Sequence, residues 1–362
     1  MKKLLLATTM LVTAGTYAAA DVSVSGDGRM GIVSTDGESR MASRVRVSFG
    51  ASGTTDGDLA FAGSIRADNS ANGAAGTAGS VSLSGGFGKL SMGDVDSADS
   101  AAVGQLAGVG YTGIGDSNEV QYSADGFSLF DLDKDVLAAA KDYDANNGGD
   151  ADLAIKSIAI SSPASKVLYT YSAGSLTASA SASQIGDQES YAMGLSYVAG
   201  SLTLAAGYGT AEASVVVDAA SEDYAGTSTF DVTDTTAAAT YVMGSTTIKG
   251  IYQDKQVDGS GDTTSSLTET SYGLSVQHTM AAITITGFGI TADLHDGIFG
   301  EDDLTLTRYG AGVSYDLGGG AKVVGGVARI DYVNAALNAD ASDIIDSTDT
   351  QTLYDLGVNF SF

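Results

Sequence analysis

The chain has no cysteine, and it has no apolar run long enough to cross a membrane as a helix. Without cysteine, a disulfide framework is excluded. A transmembrane helix needs about 20 consecutive apolar residues, and the sequence contains no stretch of that length. These two absences exclude a disulfide-stapled secreted domain and a helical membrane protein.

Basic residues are also scarce, with 17 Lys and Arg against 44 Asp and Glu and a net charge of −27. A surface of this sign is a poor partner for nucleic acid, which is excluded as a ligand. Strongly acidic chains are often disordered. Here 43% of the residues are hydrophobic and 17 are tyrosines, which favours a folded protein.

The first twenty residues have the pattern of an export signal. Lys2 and Lys3 precede the short apolar run 4–12, and three alanines at 18–20 provide a cleavage site. We therefore expect residues 1–20 to be a signal peptide and the mature chain to begin near Asp21. An exported chain without disulfides can be held together as a closed β-barrel, because closure leaves no unpaired strand edge.

Period-two alternation recurs from the predicted mature start to the last residue. Within residues 44–49, Val45, Val47 and Phe49 alternate with polar side chains, and residues 353–362 alternate in the same way before ending on phenylalanine. Such alternation predicts half-buried β-strands. Each segment is about as long as one membrane-spanning strand of a barrel.

Short and long connections between strands alternate along the chain. Tight turns such as Ala173-Gly174 and Ala199-Gly200 alternate with polar, Asp-rich segments such as 217–234, 257–268 and 334–350, which we interpret as loops. This arrangement is typical of outer-membrane barrels. The prediction is an all-β, transmembrane antiparallel β-barrel of about 16 strands over residues 21–362.

The strand count depends on residues 95–164, which we interpret as one long loop containing local structure. Within it, 119–123 and 153–160 also fit short strands, and counting them would give 18 strands. An even number satisfies the rule for bacterial barrels in both cases.

Several segments resemble the alphaproteobacterial general porins of the Rhodobacter type. They are SVSGDGRMGI (23–32), SRVRVSF (43–49), SLSGGFGKLSMGD (82–94), LYTYSAG (168–174), YGAGVSYDLGGGAKVVGG (309–326) and LGVNFSF (356–362). The resemblance implies a trimeric outer-membrane barrel of about 16 strands, whose third loop folds inward and narrows the pore. It places that loop at 95–164. The loop is longer than is usual in the family, and its 119–160 portion departs from the family pattern.

Of the fifteen basic residues in the predicted mature chain, six lie before Asp94, on the polar phase of their strands: Arg29, Arg40, Arg44, Arg46, Arg66 and Lys89. A lipid-facing Arg or Lys near the midplane costs about 2 to 4 kcal/mol, so these side chains are expected to face the lumen. They are our candidates for a basic wall at the pore constriction. A second interpretation is that they pair with lumenal acids and brace the wall, and the two roles are compatible.

The third loop holds twelve acidic residues and three lysines, and Asp96, Asp99, Asp116 and Glu119 lie in its first part. These four are the candidate acidic side of the constriction. A basic wall opposite an acidic loop produces a transverse field that orients dipolar solutes and disfavours apolar ones. The resembled family organises its eyelet in this way.

Neither of the two histidines, His278 and His295, has a serine motif or a metal-ligand spacing around it. We interpret them as polar residues of strand ends and loops. Carboxylates are abundant, but no pair stands out as a general acid and base. The expectation is a protein that is not an enzyme and requires no cofactor.

Asp131, Asp133 and Asp135 form the most calcium-like cluster, because hard cations prefer clustered oxygens. Solvated loop charge is the interpretation that we favour, although bound divalent cations in the resembled family make calcium an expectation. The alternative function is an exported calcium-binding adhesin or surface-layer β protein. Tyrosines near strand ends, such as Tyr169 and Tyr241, favour the barrel.

The sequence thus predicts an outer-membrane porin for the passive diffusion of small hydrophilic solutes and ions, with weak cation selectivity. The expected partners are a homotrimer and outer-membrane lipid and lipopolysaccharide. Nucleic acid is not an expected partner.

Overall fold

The computed structural model describes residues 21–70, 73–76, 79–114, 116–125, 153–157, 166–185, 188–219, 226–260, 266–296, 304–337 and 344–362. The predicted signal peptide and the calcium candidates Asp131, Asp133 and Asp135 lie outside these residues. The described strands are β1 (Asp21–Thr35), β2 (Glu38–Thr54), β3 (Ala60–Ser70), β4 (Gly73–Gly76), β5 (Ser80–Gly85), β6 (Gly88–Gly93), β7 (Leu153–Ser157), β8 (Lys166–Ala173), β9 (Leu176–Ile185), β10 (Gln188–Ala199), β11 (Leu202–Ala219), β12 (Gly226–Met243), β13 (Thr246–Ser260), β14 (Ser266–Met280), β15 (Ile283–Asp296), β16 (Leu304–Gly318), β17 (Ala321–Leu337) and β18 (Ile344–Ser361). A short helix, α1 (Ala98–Val103), and a 3₁₀ turn (Ser123–Asp125) lie between β6 and β7.

Sixteen of these strands form a closed antiparallel wall, as predicted. Each pairs with its neighbour along the chain, β6 pairs directly with β8, and β1 closes the ring on β18 from Asp27 opposite Ser361 to Thr35 opposite Leu353. The remaining two strands are accessory: β4 extends a hairpin with β3, and β7 pairs with the end of β11. Closure gives every wall strand two hydrogen-bonded neighbours.

Residues 95–164 connect β6 to β8 and are called the third loop below. Residues 119–123 contain no strand, whereas 153–157 form β7 outside the wall. The structure therefore agrees with a 16-stranded wall rather than an 18-stranded one.

The strands are longer than the sequence pattern suggested. The segments interpreted as loops at 217–234 and 334–350 are mostly strand, since Val217 pairs with Gly226 and Leu337 with Ile344. Backbone pairing depends little on side-chain polarity once two neighbouring strands are in register, so polar hairpins continue as strands beyond the apolar band. The polar composition of these segments was mistaken for a loop signal.

The outer face of the wall is apolar, and tyrosines border it in two rows. One row lies near the short turns and the other nearer the opposite end, and all of these side chains are exposed: Tyr169, Tyr171, Tyr197, Tyr241 and Tyr315 in the first row, and Tyr191, Tyr208, Tyr252, Tyr272, Tyr309 and Tyr354 in the second. Two aromatic rows flanking an apolar band are typical of an outer-membrane barrel. A soluble β-sandwich, as the adhesin alternative requires, is not supported by this closed wall.

Among the described residues, no helix is long and apolar enough to span a membrane.

Candidate functional site

The third loop runs along the inside of the barrel in two arms. The outgoing arm starts beside β8 and passes β9 to β17 until Tyr111 reaches β18. The returning arm passes β16 at Glu119 and β12 at Ser123, and ends beside β8 at Asp125. The two arms are joined side by side, because the Gln105 amide donates to Val120 O and accepts from Val120 N, each at 2.8 Å. The described part of the loop therefore lies against the wall from β8 to β18.

Both arms are fastened at the base of the loop. Lys166 on β8 donates to Asp125 Oδ1 at 2.5 Å and to the Val95 carbonyl at 3.3 Å. Asp125 also accepts from the Ser97 backbone at 2.7 Å, and the Ala98 amide donates to Ser181 Oγ on β9 at 2.9 Å. The residues before and after the inward excursion are thus held at one point of the wall.

The α1 segment approaches the wall closely because glycines line the strands beneath it. A Cβ built on Gly207 of β11 would lie 2.6 Å from Asp99 Cβ and 2.8 Å from Asp99 Cα. Further along the loop, a Cβ on Gly326 of β17 would lie 2.8 Å from Gly110 Cα. Any larger residue at these two positions would push the loop towards the centre of the lumen.

An apolar cluster fills the space between the loop and the wall. Leu106, Val109 and Ile114 of the loop pack with Ile251 and Phe288, which point inwards from β13 and β15. Inward apolar side chains are unusual in a water-filled barrel. The loop buries them, and this burial is a main source of its attachment.

The tip of the loop is held by one carboxylate. Asp355 on β18 accepts from the Tyr111 amide at 3.1 Å, the Thr112 amide at 2.7 Å and Thr112 Oγ1 at 2.6 Å. Arg29 on β1 donates to the carbonyls of the same two residues at 3.3 and 3.2 Å. The tip is therefore bound to a charged group on each side of the seam between β1 and β18.

Four arginines form a patch on the inner face of β1 to β3, beyond the tip of the loop: Arg29, Arg44, Arg46 and Arg66. Arg44 lies opposite Arg29 across the strands, and its Nη2 is 3.2 Å from Asp27 Oδ1. Arg46 Nε lies 3.0 Å from Asp68 Oδ2, and Arg66 Nε lies 2.7 Å from Asp68 Oδ1. These partly exposed pairs add little to stability, but they orient the guanidinium groups.

The other two predicted basic residues lie nearer the ends of the barrel, although the charge of Arg40 also acts on Tyr111 at the tip of the loop. Arg40 is close to the Asp36-Gly37 turn between β1 and β2, and exposed Lys89 follows the turn between β5 and β6 at the opposite end of the barrel. Sequence phase identified the face of each strand that these residues occupy. Their position along the barrel axis, in contrast, depends on where the strands end and on the register between them.

The four predicted acidic residues separate into three environments. Asp96 is exposed at the base of the loop, where partial desolvation by surrounding residues and the nearby Asp125 carboxylate raise its pKa. Asp116 is exposed, and Glu119 next to it has a raised pKa because of burial and the Asp116 charge. Asp99 departs from the expectation: its side chain is 0% exposed, beneath α1 and against β11. It cannot line a water-filled eyelet, because Gly207 and Gly209 of β11, called the glycine floor below, allow that face of α1 to lie directly on the wall.

The two histidines lie near the ends of strands β14 and β15. His278 Nδ1 and Thr246 Oγ1 share a 2.7 Å hydrogen bond across β13 and β14, and His295 lies at the far end of β15. In the part of the chain that the structure describes, no group of three or more His, Cys, Asp or Glu side chains is arranged to hold a metal ion.

Comparison with known proteins agrees with this architecture. The sequence profile of the Gram-negative porins matches residues 7–335. The chain belongs to the Gram-negative porin family. It is 33% identical to a porin of Rhodobacter capsulatus over 340 residues, which are 88% of this chain and 98% of that protein. The Rhodobacter-type resemblance seen in the sequence is therefore confirmed, and this porin is an outer-membrane protein.

Solved structures agree with this assignment. A porin refined at 1.8 Å superposes with a TM-score of 0.65 at 29% identity, covering 94% of this chain and 100% of that one. The trimer form of OmpT from Vibrio cholerae superposes with a TM-score of 0.69 at 17% identity, covering 95% and 100%. The second likeness concerns the fold alone.

Sequence reasoning missed Asp234, Asp355 and the glycine floor. Asp355 is the only charged residue on the inner phase of residues 355–361, and this contrast was a usable signal. Apolar residues on both phases near Ile251 and Phe288 were another signal, since a strand between lipid and water needs only one apolar face.

Proposed function

We propose that this porin is a non-enzymatic, water-filled channel through which small hydrophilic solutes and ions diffuse passively. The main support for this proposal is that the third loop lies on one side of the lumen. Its described residues lie against the wall from β8 to β18, whereas the arginine patch lies on β1 to β3. A narrowed section with charge on both sides favours hydrated, polar solutes. The candidate eyelet consists of Arg44, Arg46 and Arg66 on one side and exposed loop acids such as Asp116 on the other.

The experiment that tests this proposal is planar-bilayer recording of the purified protein, combined with liposome swelling in sugars of increasing size. We expect stepwise conductance increments and a swelling rate that falls as the solute grows. Membranes that show neither increments nor swelling while containing folded protein would contradict the channel proposal.

Weak cation preference is expected because the predicted mature chain carries 44 acidic and 15 basic residues, twelve of the acids lying in the third loop. The preference should fade with salt, since the Debye length falls from about 30 Å at 0.01 M to about 3 Å at 1 M. Reversal potentials across KCl gradients at several concentrations measure it. Anion preference at low salt would mean that the arginine patch dominates the field.

We further propose that the protein is a homotrimer. A porin structure described as a trimer form has the same fold, and the outer face of β1 and β18 carries exposed apolar residues such as Val22, Val24 and Leu356. Interfaces between permanent protomers are usually large and apolar. Mass measurement in mild detergent, with and without heating, should show a heat-sensitive trimer.

A matched pair of variants locates the interface. Replacing cross-strand neighbours Ile32 and Leu356 with asparagine should increase the monomer fraction, whereas the same change at Leu204 and Leu274 on the opposite wall should not. Equal effects of the two double variants would place the interface elsewhere, and a monomeric wild type would contradict the trimer.

A further inference from the structure

A pair of buried carboxyl groups lies between α1 and the wall. Asp99 of α1 is 0% exposed and Asp234 of β12 is 1% exposed. A Cβ built on Gly207 or Gly209 of β11 would overlap this region: at Gly209 it would collide with Asp99 Oδ2 and lie 3.0 Å from Asp234 Oδ1. The two oxygens therefore lie over the same Cα, in a space that only glycine leaves open.

The hydrogen bonds around the pair leave one oxygen without a partner. Asp234 Oδ1 accepts from the Ser123 amide at 2.7 Å, and its Oδ2 accepts from Thr236 Oγ1 at 3.2 Å. Asp99 Oδ1 accepts from Ser97 Oγ. Asp99 Oδ2 is buried and has no hydrogen-bond partner among the described residues. An ionised oxygen in such a place is costly, whereas a protonated one can donate a hydrogen bond to a neighbouring oxygen.

We infer that Asp99 and Asp234 share one proton, carried by Asp99 Oδ2, and that this proton holds the α1 segment against β11 and β12. The pair is thus a positioning device for the third loop, and its protonation sets how firmly the constriction is held open. This inference rests on the proposed passage of solutes through the lumen. It adds pH sensitivity to a loop that the other contacts hold in place.

Charged groups lie around the pair on the wall and on the loop. Lys255 on β13 lies opposite Asp234 across the strands, 3% exposed and 3.9 Å from Glu269 of β14. From the loop, Asp125 faces the pair, and it is bonded to Lys166 of β8. Uncharged groups among the described residues surround the pair. Thr236 of β12 donates to Asp234 and accepts from Gln253 of β13, the β11 glycines lie beneath, and Ser181 of β9 and Ser190 of β10 bond the nearby loop backbone.

Tyr122 of the returning arm also lies near both carboxyls. Burial, followed by the charges of Asp99 and Asp234, raises the pKa of its phenol, which therefore stays protonated and donates to Gly104 O at 2.9 Å. Burial and then the Asp234 charge raise the pKa of Asp99 from 3.8 to about 7. Asp99 is accordingly the group that titrates near neutral pH.

The sign of the pH effect follows from linkage. The docked loop binds a proton that a freed loop with an ordinary carboxyl does not hold, so docking is strongest below the ordinary pKa. The equilibrium constant for docking falls about tenfold per pH unit as pH rises towards about 7, and above that pH it stays constant. Above that pH, two buried negative charges repel each other, and α1 samples positions further into the lumen.

Infrared titration of the wild-type porin tests the proton directly, without any channel measurement. We expect the carbonyl band of a protonated carboxylic acid that disappears with a midpoint near pH 7, is absent in Asp99→Asn, and shifts to lower pH in Asp234→Asn. A band that persists unchanged in both variants, or no band between pH 5 and 8, would overturn the inference. If Asp99→Asn does not assemble, the wild-type and Asp234→Asn titrations still decide the question.

Single-channel recording from pH 5 to 8 tests the consequence. Brief partial closures of the wild type should become more frequent as pH rises, whereas Asp99→Asn, which cannot ionise, should keep the low-pH behaviour throughout. Asp56→Asn, in the exposed β2–β3 turn, removes the same charge as a control and should titrate like the wild type. An identical pH profile in Asp99→Asn and wild type would overturn the positioning role. A correct infrared titration without any conductance would instead contradict the proposed channel and leave the shared proton standing.

Discussion

Replacing Arg44 and Arg46 together with alanine is expected to widen the candidate eyelet and to raise cation selectivity about two- to fivefold at low salt. A unit charge about 8 Å from a passing ion changes its energy by about 0.5 kcal/mol in water, and two charges are removed. Salt reduces the effect, so it should shrink towards 1 M KCl. Reversal potentials and single-channel conductance measure both changes.

The same double substitution removes arginine partners from two carboxylates. Asp27 loses Arg44, and Asp68 loses Arg46 but keeps Arg66 at 2.7 Å. Both carboxylates then add to the cation preference. Because partly exposed ion pairs contribute little to stability, assembly should survive.

A charge-matched control is the double replacement of Lys89 and Lys322 with alanine. Both lysines are exposed near the short turns, away from the arginine patch. It should change selectivity much less than the arginine variant does. Equal changes would show that only net charge matters. Failed assembly of the arginine variant, with wild-type conductance in any folded fraction, would show that Arg44 and Arg46 brace the wall instead.

Replacing Gly207 with valine is expected to lower single-channel conductance by about half or more, because α1 must move into the lumen to make room for the side chain. Even the first added carbon would lie 2.6 Å from Asp99 Cβ and 2.8 Å from Asp99 Cα. Overpacking of this kind costs about 1 to 3 kcal/mol, and displacing the loop relieves it while the strand pairing of β11 remains.

The control is Gly250→Val on β13, where the nearest atoms to an added Cβ are 3.8 and 3.9 Å away. It introduces the same β-branched side chain on the outward face of β13, opposite exposed Leu274, where it does not meet the loop. Its conductance should match the wild type. Wild-type conductance in Gly207→Val would show that the loop tolerates the side chain where it lies, and that the glycine floor does not set the width of the lumen.

The barrel itself could be predicted because its information is local and periodic. Alternation placed Val45 and Phe49 outside and Arg44 and Arg46 inside, and the structure has the same phase. A transmembrane strand separates lipid from water along its whole length, so the polarity of each residue indicates which face of the strand it occupies. Strand ends could not be predicted, since polar hairpins around 217–234 continue pairing beyond the apolar band.

The course of the third loop was accessible only in part. Its inward folding was implied by the resemblance, but nothing in the local pattern separates buried Asp99 from exposed Asp96. That difference depends on Gly207 and Gly209, more than a hundred residues further along the chain. Contacts of this range leave no period in the sequence.

The sequence by itself thus determined a strand-built chain with a lipid-facing phase, a lumenal phase and arginines on the lumenal one, because solvent on each side of a strand dictates its side chains directly. Only the tertiary structure decided which part of the lumen the loop occupies, that Asp355 holds its tip, and that Asp99 meets Asp234. These depend on closure of the ring, which brings β1 to β18 and sets β11 and β12 beneath α1.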